Sequence, residues 1–355
     1  MAGGIWTFVL SSSSGQDVWS ESLVTELEGD VLGITSQPGE SVLVTANGEI
    51  GRSVGGGEWT RVLSDAGFLQ SVGWWAGRYY ATGEGGVVLS SADSGESWVS
   101  EAVGTSEFLS DTAGGEGVLV AVGGAGEIVW RRDEDGSWDR SESGVDVFLS
   151  SVAYGEGRFV AVGVGGEIVF SDDALLWGRA ESGVVASLSG VEFAGGRFVA
   201  VGSGGTVIVS NDGKNWQEED SGVTSWLYGV VGGNGGAVVV GEGGKVLKSV
   251  GASSWESVEI GGSGDLLAVS YGDHRFTAGG RTKIEAGSGA RVVTSFADPI
   301  REAFDLEAVV DFAVEGSTVL LNVRRSGGGG EAGAVELVVS GGAGIEGEDF
   351  VQVSG

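Results

Sequence analysis

The residue types that could carry chemistry in this sequence are almost all carboxylates. The 355 residues include 50 Asp and Glu, no Cys and one His, His274. A Cys nucleophile, a thiolate zinc site and a three-His metal site are therefore excluded, and a Ser–His–Asp triad would have to use His274. That residue lies where related segments read Gly-Glu-Gly or Ala-Gly-Gly, so we expect a solvated turn. A carboxylate pair for glycoside hydrolysis stays open, although no motif singles one out.

The elements that would position such residues are indicated by a repeat with a period of 39 to 40 residues. Three markers recur with this period: a Trp, a Leu, and a turn dipeptide such as Gly85-Gly86. The Trp series is Trp19, Trp59, Trp98, Trp138, Trp177, Trp216 and Trp255. The Leu series is Leu69, Leu109, Leu149, Leu188, Leu227 and Leu266. Repeats of this length are typical of propellers and solenoids.

One repeat unit shows what is being repeated. Short apolar segments such as 148–154, 158–162 and 167–170 are separated by Gly-rich turns, and a fourth segment begins near Trp177. Four strands and three tight turns in about 40 residues match one blade of a β-propeller. The glycines, 70 in all with only 2 Pro, then belong to the turns. The sequence therefore predicts an all-β protein with a seven-bladed β-propeller.

The ends of the repeat predict how the ring closes. The chain opens with an outer half-blade and ends the repeat with an inner half, so residues 4–22 are expected to complete a composite blade with residues 265–280. The segment Arg291–Phe296 could serve as a further outer strand, which leaves an eight-unit alternative open. We predict that the propeller covers residues 1–300.

Two turn segments resemble the Asp-box of sialidase-like (BNR-type) propellers, Ser-x-Asp-x-Gly-x-x-Trp. The first matches in full and the second is one residue shorter; their motif residues are Ser91, Asp93, Gly95 and Trp98, and Ser210, Asp212, Gly213 and Trp216. A third segment, 133–138, keeps only part of the motif. The resemblance implies a structural role on the blade periphery, in which Asp accepts backbone N–H bonds while Ser and Trp hold the strands.

A longer phrase is similar to the photosystem II assembly-factor-like group of bacterial propellers. It runs from Gly196 to Gly202 and from Gly205 to Trp216. This resemblance implies the propeller fold for residues 1 to about 300. It also suggests an assembly chaperone as a weaker functional alternative, although a chaperone of this group would require a basic patch.

After a predicted linker at 301–308, residues 309–355 resemble the first half of a Calx-β domain, a small β-sandwich. The matching motifs are Glu315–Val319, Arg324-Arg325-Ser-Gly-Gly and Glu346–Phe350. In calcium-binding members the resemblance would make Glu315 and Asp349 ligands, so Ca²⁺ is the one candidate cofactor. Ca²⁺ takes six to eight oxygens, and the family's other acidic ligands lie in later strands that are absent here, so the site would be incomplete. Since half a sandwich leaves an exposed edge, we expect the chain to be part of a longer, extracellular or cell-surface protein.

The charge balance excludes two classes of partner. With 19 Lys and Arg against 50 acids, the net charge is −31, which would repel nucleic acid and anionic membranes. No segment reaches the roughly 18 apolar residues of a membrane span, and the N-terminus lacks the basic region of a signal peptide. Protein or glycan partners remain.

Two aromatic residues depart from the repeat and are candidate binding residues. Trp75 aligns with Gly155, and Trp226 takes the place of Phe68, Phe108 and Phe148 at the start of an inner strand. Either could anchor a partner or stack on a sugar, and local packing is the alternative. Because no catalytic motif is found, the sequence predicts a non-enzymatic binding, adhesion or scaffold module, with a sialidase-like glycoside hydrolase as the alternative.

Overall fold

A computed structural model describes residues 18–132, 136–233, 235–250, 254–258, 260, 264–273, 275–282, 289–296, 304–306 and 323–325. The chain divides into one compact unit of residues 1–298 and a second of residues 299–355. The described part of the first unit consists of four-stranded antiparallel sheets arranged as propeller blades. The all-β propeller fold and its repeat are therefore confirmed. No helix in the described residues is long and apolar enough to cross a membrane.

The chain enters the first unit on an outer strand whose partners come from the far end of the repeat. This strand is β1 (Val18–Glu28). Six blades of four consecutive strands follow, each ordered from the inner to the outer edge. Blade 1 contains β2 (Val31–Gln37), β3 (Glu40–Thr45), β4 (Ile50–Val54) and β5 (Trp59–Leu63). Blade 2 contains β6 (Leu69–Trp75), β7 (Arg78–Gly83), β8 (Val88–Ser91) and β9 (Val99–Ser100).

The next four blades repeat this arrangement. Blade 3 contains β10 (Leu109–Gly115), β11 (Val118–Gly123), β12 (Glu127–Arg132) and β13 (Trp138–Glu142). Blade 4 contains β14 (Leu149–Gly155), β15 (Arg158–Gly163), β16 (Ile168–Ser171) and β17 (Gly178–Ala180). Blade 5 contains β18 (Leu188–Ala194), β19 (Arg197–Gly202), β20 (Val207–Ser210) and β21 (Gln217–Glu219). Blade 6 contains β22 (Leu227–Gly233), β23 (Gly236–Gly241), β24 (Val246–Val250) and β25 (Trp255–Val258).

A composite sheet joins the two ends of the repeat. Its inner strands are β26 (Gly264–Gly272), β27 (Arg275–Thr282) and β28 (Gly289–Phe296), and β1 pairs with β28 as the fourth strand. Toward blade 1, the Ser36 and Ser270 hydroxyls lie 2.8 Å apart. Toward blade 6, Trp19 and Leu266 pack with Val238. The composite sheet thus packs against both neighbouring blades.

The predicted seven-bladed ring, closed by a two-stranded N-terminal half-blade, is wrong. The propeller has six continuous blades rather than seven, and among the described residues the composite sheet takes three strands from 264–296 and one, β1, from the N-terminal side. The physical reason is that Arg291–Phe296 pairs with β27 as the third strand, which leaves room for a single strand at the edge. The same pairing rules out the eight-unit alternative.

In the second unit the structure describes only β29 (Phe304–Leu306) and β30 (Val323–Arg325), which pair antiparallel. Strand β29 falls within the predicted linker 301–308. The rest of the predicted partial β-sandwich, including Glu315 and Asp349, lies outside the described residues. The predicted domain boundaries at 300 and 308 remain predictions.

The second strand of each blade forms the core. Strand β11, for example, is buried at every position because neighbouring blades cover both of its faces. Val120 and Val122 of this strand pack with Leu149 and Phe159 of blade 4. The continuous apolar runs of the sequence are these doubly covered strands.

A β-bulge shifts the register at the start of every inner strand of the described propeller. In blade 2, Leu69 pairs with Gly83 but Ser71 pairs with Thr82, so Gln70 is the additional residue. The same shift occurs in the other blades and in the composite sheet. Such bulges redirect side chains. Here the inserted residues, Leu32, Gln70, Ser110, Ser150, Ser189, Tyr228 and Leu267, line the centre of the ring.

The hairpin turns of blades 2 to 6 are short 3₁₀ turns. Two of their positions, represented by Gly85 and Gly86 in blade 2, differ in the space available for a side chain. At Gly86 (φ 72°) a Cβ would lie 2.1 Å from the carbonyl oxygen of Thr105, whereas a Cβ at Gly85 (φ 69°) would meet nothing within 4 Å. Blade 3 has Ala125 at the position of Gly85, with φ 51°. A backbone contact therefore requires glycine only at the second of these two positions.

We expect Gly86→Ala to destabilise the propeller more than the matched Gly85→Ala. Both changes place a Cβ in the left-handed region, at a cost of about 1–2 kcal/mol. The contact with Thr105 should add roughly 1–3 kcal/mol at position 86 only. Urea unfolding followed by tryptophan fluorescence measures both variants, and equal stabilities would contradict the analysis.

Candidate functional site

A cavity of about 450 Å³ lies at the centre of the ring. It is lined by the inner strand of every blade and by β26, and most of its lining is small, apolar or hydroxyl-bearing. Two carboxylates, Asp111 of blade 3 and Glu192 of blade 5, stand among these residues. The sequence analysis did not single out either residue.

Asp111 connects three consecutive blades from inside the cavity. Its Oδ1 accepts from the Ser71 hydroxyl at 2.8 Å and from its neighbour, the Thr112 N–H, at 2.8 Å. Its Oδ2 accepts from the Ser151 hydroxyl at 2.7 Å and from the Val152 N–H at 3.1 Å. Burial raises the pKa of Asp111, and these hydrogen bonds oppose that rise. With both oxygens occupied, Asp111 is placed to hold blades 2, 3 and 4 together.

Glu192 is held differently, because the hydrogen bond recorded for its carboxylate is a single one, from the N–H of the adjacent Phe193 at 3.0 Å. Burial raises the pKa of Glu192 to about 7, and the charge of Asp111 adds to the rise. The cavity therefore contains one carboxylate that is fully engaged and one that titrates near neutral pH. Among the described residues, no three His, Cys, Asp or Glu side chains are grouped as they would be to hold a metal ion.

The two Asp turn motifs lie between the third and fourth strands of blades 2 and 5. Asp93 Oδ1 accepts from the Ser91 hydroxyl at 2.8 Å and from the Ser97 N–H at 2.9 Å, and Trp98 Nε1 donates to the Gly95 carbonyl. Asp212 accepts from Ser210, Lys214 and Asn215, while Trp216 Nε1 donates to the Gly213 carbonyl.

These hydrogen bonds account for the acidity of both carboxyls. The hydroxyl of Ser97, followed by its N–H, lowers the pKa of Asp93 to about 2. The N–H groups of Asn215 and Lys214 hold the pKa of Asp212 well below its usual range. Both carboxylates therefore bind within their own turns, in the manner of the predicted structural role.

A third turn of the same geometry lies in blade 4, where the sequence analysis did not list the motif. Asp173 accepts from Ser171, Leu175 and Leu176, and Trp177 Nε1 donates to the Ala174 carbonyl at 3.0 Å. Ala174, with φ 63°, replaces the usual Gly, which is why the motif was missed. In the partial motif of blade 3, Trp138 Nε1 instead donates to Glu101 at 2.7 Å, and residues 133–135 lie outside the described residues.

The structure separates the two predicted aromatic binding residues. Trp75 is only 9% exposed, and its indole fills the space beside Gly114. Trp226 is 41% exposed, donates its Nε1–H to the Ser189 hydroxyl at 2.7 Å, and stacks on Tyr228 with ring centroids 5.9 Å apart. Trp226 is thus on the surface near the cavity, whereas Trp75 occupies the packing position that was the alternative.

Three Phe residues that are equivalent to Trp226 form a continuous surface feature, here called the aromatic arc: Phe68, Phe108 and Phe148. Ring centroids are 5.8 Å apart between Phe68 and Phe108 and 5.6 Å apart between Phe108 and Phe148. Phe148 is 37% exposed and the other two are half-buried. Each residue immediately precedes an inner strand, so the arc lies at the end of the ring where those strands begin.

Two exposed apolar residues lie near the Phe148 end of the arc. The N–H of Val164, an exposed residue of the blade 4 turn, donates to the Phe148 carbonyl at 3.1 Å. The next loop places Val185, which is 93% exposed, close to the same turn. An apolar strip on the surface of a strongly acidic protein requires an explanation, because large exposed apolar groups cluster at interaction sites.

Two of the sequence predictions cannot be placed. The predicted calcium ligands Glu315 and Asp349, and His274, lie outside the described residues. These predictions stand as they were made.

Comparison with solved structures places the fold among known propellers. YCF48 bound to D1 peptide is similar with a TM-score of 0.63 and 15% identity, covering 82% of this chain and 100% of that one. The WD40 β-propeller domain of Doa1 has a TM-score of 0.61 and 16% identity over 79% and 97% of the two chains. The RRP9 WD40 repeats have a TM-score of 0.65 and 10% identity over 78% and 97%. At these identities the likeness shows the fold alone.

No family model and no curated protein matches the sequence. The Asp-box, BNR and Calx-β resemblances are therefore not confirmed by the comparisons.

We expect Asp111→Ala to destabilise the propeller by about 2–4 kcal/mol, because Ser71, Ser151 and the Val152 N–H lose their shared acceptor. Asp111→Asn, which keeps one acceptor oxygen, should fall between wild type and Asp111→Ala. Urea unfolding is the measurement, with Asp146→Ala in an exposed loop as a control within about 0.5 kcal/mol of wild type. An Asp111→Ala variant as stable as this control would show that the inter-blade bonds contribute little.

We expect Glu192→Gln to stabilise the protein relative to wild type increasingly as the pH rises from about 4.5 to about 7.5. The folded-state pKa of Glu192, about 7, exceeds its ordinary value of 4.5. The folded chain therefore keeps a proton that the unfolded chain releases in this window, and wild-type stability falls. Since Glu192 is only partly buried by its exposed area, solvent screens part of the effect, and the difference should reach about 1–3 kcal/mol. Thermal unfolding of both proteins across this pH range tests it, and a difference that does not vary with pH would contradict it.

Proposed function

We propose that the propeller is a non-enzymatic scaffold that binds another protein on the face that carries the aromatic arc. The observation that carries the proposal is the row of Phe68, Phe108 and Phe148, continued by the exposed Val164 and Val185. Aromatic side chains that are rigidly held and partly exposed are the usual anchors of protein interfaces.

Three further observations support the proposal. The hydrogen bonds between the turns and the carbonyl groups of Phe68, Phe108 and Phe148 fix the backbone of the arc before any partner arrives, which lowers the entropic cost of binding. Among proteins of similar fold, YCF48 binds a D1 peptide. Of the two carboxylates inside the ring, Asp111 is committed to hydrogen bonds between blades.

The proposal concerns a protein partner, not a glycan or a catalytic substrate. An extracellular or cell-surface setting and a role in adhesion remain predictions from the sequence. So does the incorporation of this unit into a larger chain.

The test is selection of binding peptides from a random display library against the whole chain, followed by measurement of their affinities for variants. We expect Phe148→Ser and Trp226→Ala to weaken the selected peptides at least fivefold, because each removes exposed aromatic area from the face. Leu176→Ser, which removes an 80% exposed apolar side chain from a peripheral turn, is the matched control and should change affinity less than twofold.

Circular dichroism and urea unfolding confirm that each variant is folded. Peptides that bind all three variants equally well would overturn the proposal. So would a glycan array in which sugars, rather than peptides, depend on Phe148.

A further inference from the structure

The chemistry of the partner is indicated by the charges that surround the aromatic arc, and this inference rests on the proposed function. An exposed carboxylate accompanies each aromatic residue of the face. The N–H of Glu84 donates to the Phe68 carbonyl, Glu107 immediately precedes Phe108, and Asp146 lies two residues before Phe148. On the far side of the ring, the N–H of Glu242 donates to the Trp226 carbonyl.

These carboxylates differ from most of the partly buried ones on the blades, which have Arg partners. In blades 3, 4 and 5, Arg140 pairs with Glu127, Arg179 with Glu167, and Arg197 with Glu219. No ion pair involves Glu84, Glu107 or Asp146 within the part of the chain that the structure describes. The segments around the aromatic arc, 64–68, 84–87, 102–108, 143–148, 164–166 and 182–187, contain no Lys or Arg, whereas the turn beside Trp226 is followed by Lys245.

We infer that the partner is a protein segment that is both basic and apolar, whose apolar side chains pack on the aromatic arc while its Lys or Arg side chains pair with Glu84, Glu107 and Asp146. A basic segment gains from the local negative potential, and an acidic one is repelled by it. The apolar strip alone would accept any hydrophobic segment, so the carboxylates provide the selectivity. Burial of the arc beneath apolar groups would also strengthen the adjacent ion pairs by excluding water.

The experiment uses a fluorescein-labelled octapeptide of alternating Lys with Phe or Leu, measured by fluorescence anisotropy against the whole chain. Two control peptides replace the apolar residues by Ser or every Lys by Glu. The alternating Lys peptide should bind, and both controls should bind at least fivefold more weakly. Raising NaCl from 50 to 500 mM should weaken binding more than fivefold, because solvent-exposed ion pairs are screened.

Two triple variants with the same change in net charge locate the site. Glu84→Gln, Glu107→Gln and Asp146→Asn together should reduce affinity at least fivefold. Glu58→Gln, Asp139→Asn and Glu218→Gln, which neutralise exposed acids elsewhere on the blades, should reduce it less than twofold. Equal losses in both triples would show attraction to the net charge of −31 alone and would overturn the inference.

The peptides selected by display separate this inference from the proposed function. Selected peptides that require Phe148 and are enriched in Lys or Arg support both. Peptides that require Phe148 but are neutral or acidic would overturn the basic partner while leaving the protein-binding face intact. If no peptide requires Phe148, the proposed function itself fails.

Discussion

One backbone contact, at the start of each inner strand, organises the rest of the propeller. The last residue of the second strand is a glycine in blades 2 to 6, and its Cα lies so close to the carbonyl before the inner strand that a Cβ at Gly83 would fall 1.9 Å from the Phe68 oxygen. The same carbonyl accepts the first N–H of the hairpin turn, from Glu84 at 3.0 Å. At the same point the pairing skips one residue, which is the bulge. The start of each inner strand thus determines which residue lies on the face and which residue lines the cavity.

The cavity and the face are therefore two results of the same local geometry, with different energetic demands. Inside, Asp111 accepts hydrogen bonds from Ser71, Ser151 and two backbone N–H groups, which oppose the rise in its pKa that burial causes. Glu192 accepts one hydrogen bond among the described residues, and burial raises its pKa to about 7. On the face, the residue before the inner strand has a fixed backbone and a partly exposed side chain. A large aromatic side chain there can contact a partner without a further loss of backbone entropy.

The blades could be predicted from the sequence because their markers stand where every blade needs the same residue: a buried Leu, a turn glycine and a Trp that caps the third hairpin. The strand composition of the closing sheet could not, since β28 carries none of these markers, although its partner β1 carries Trp19. The aromatic residues of the face could be recognised in the sequence because they occupy the same position of the repeat: Phe68, Phe108, Phe148 and Trp226. Contact between their side chains could not be predicted, because it depends on how successive blades are rotated about the ring. Asp111 and Glu192 did leave a signal, because an acid stands where Ser, Gly or Ala is usual. That signal was lost among 50 acidic residues.

The distribution of the acidic residues argues that the face is more than a soluble surface. Where the charge only has to keep a protein soluble, its position relative to apolar groups is immaterial. Here several acidic residues of the blades are neutralised by Arg, as in the pairs of Arg140 with Glu127 and Arg179 with Glu167. The carboxylates beside the arc, Glu84, Glu107 and Asp146, have no ion-pair partner among the described residues. Exposed Phe rings favour association with any apolar surface, and unneutralised acids beside them oppose every partner that cannot supply positive charge. This combination limits the partners of the apolar strip to those that supply positive charge. Such a limit is what a selective binding face requires.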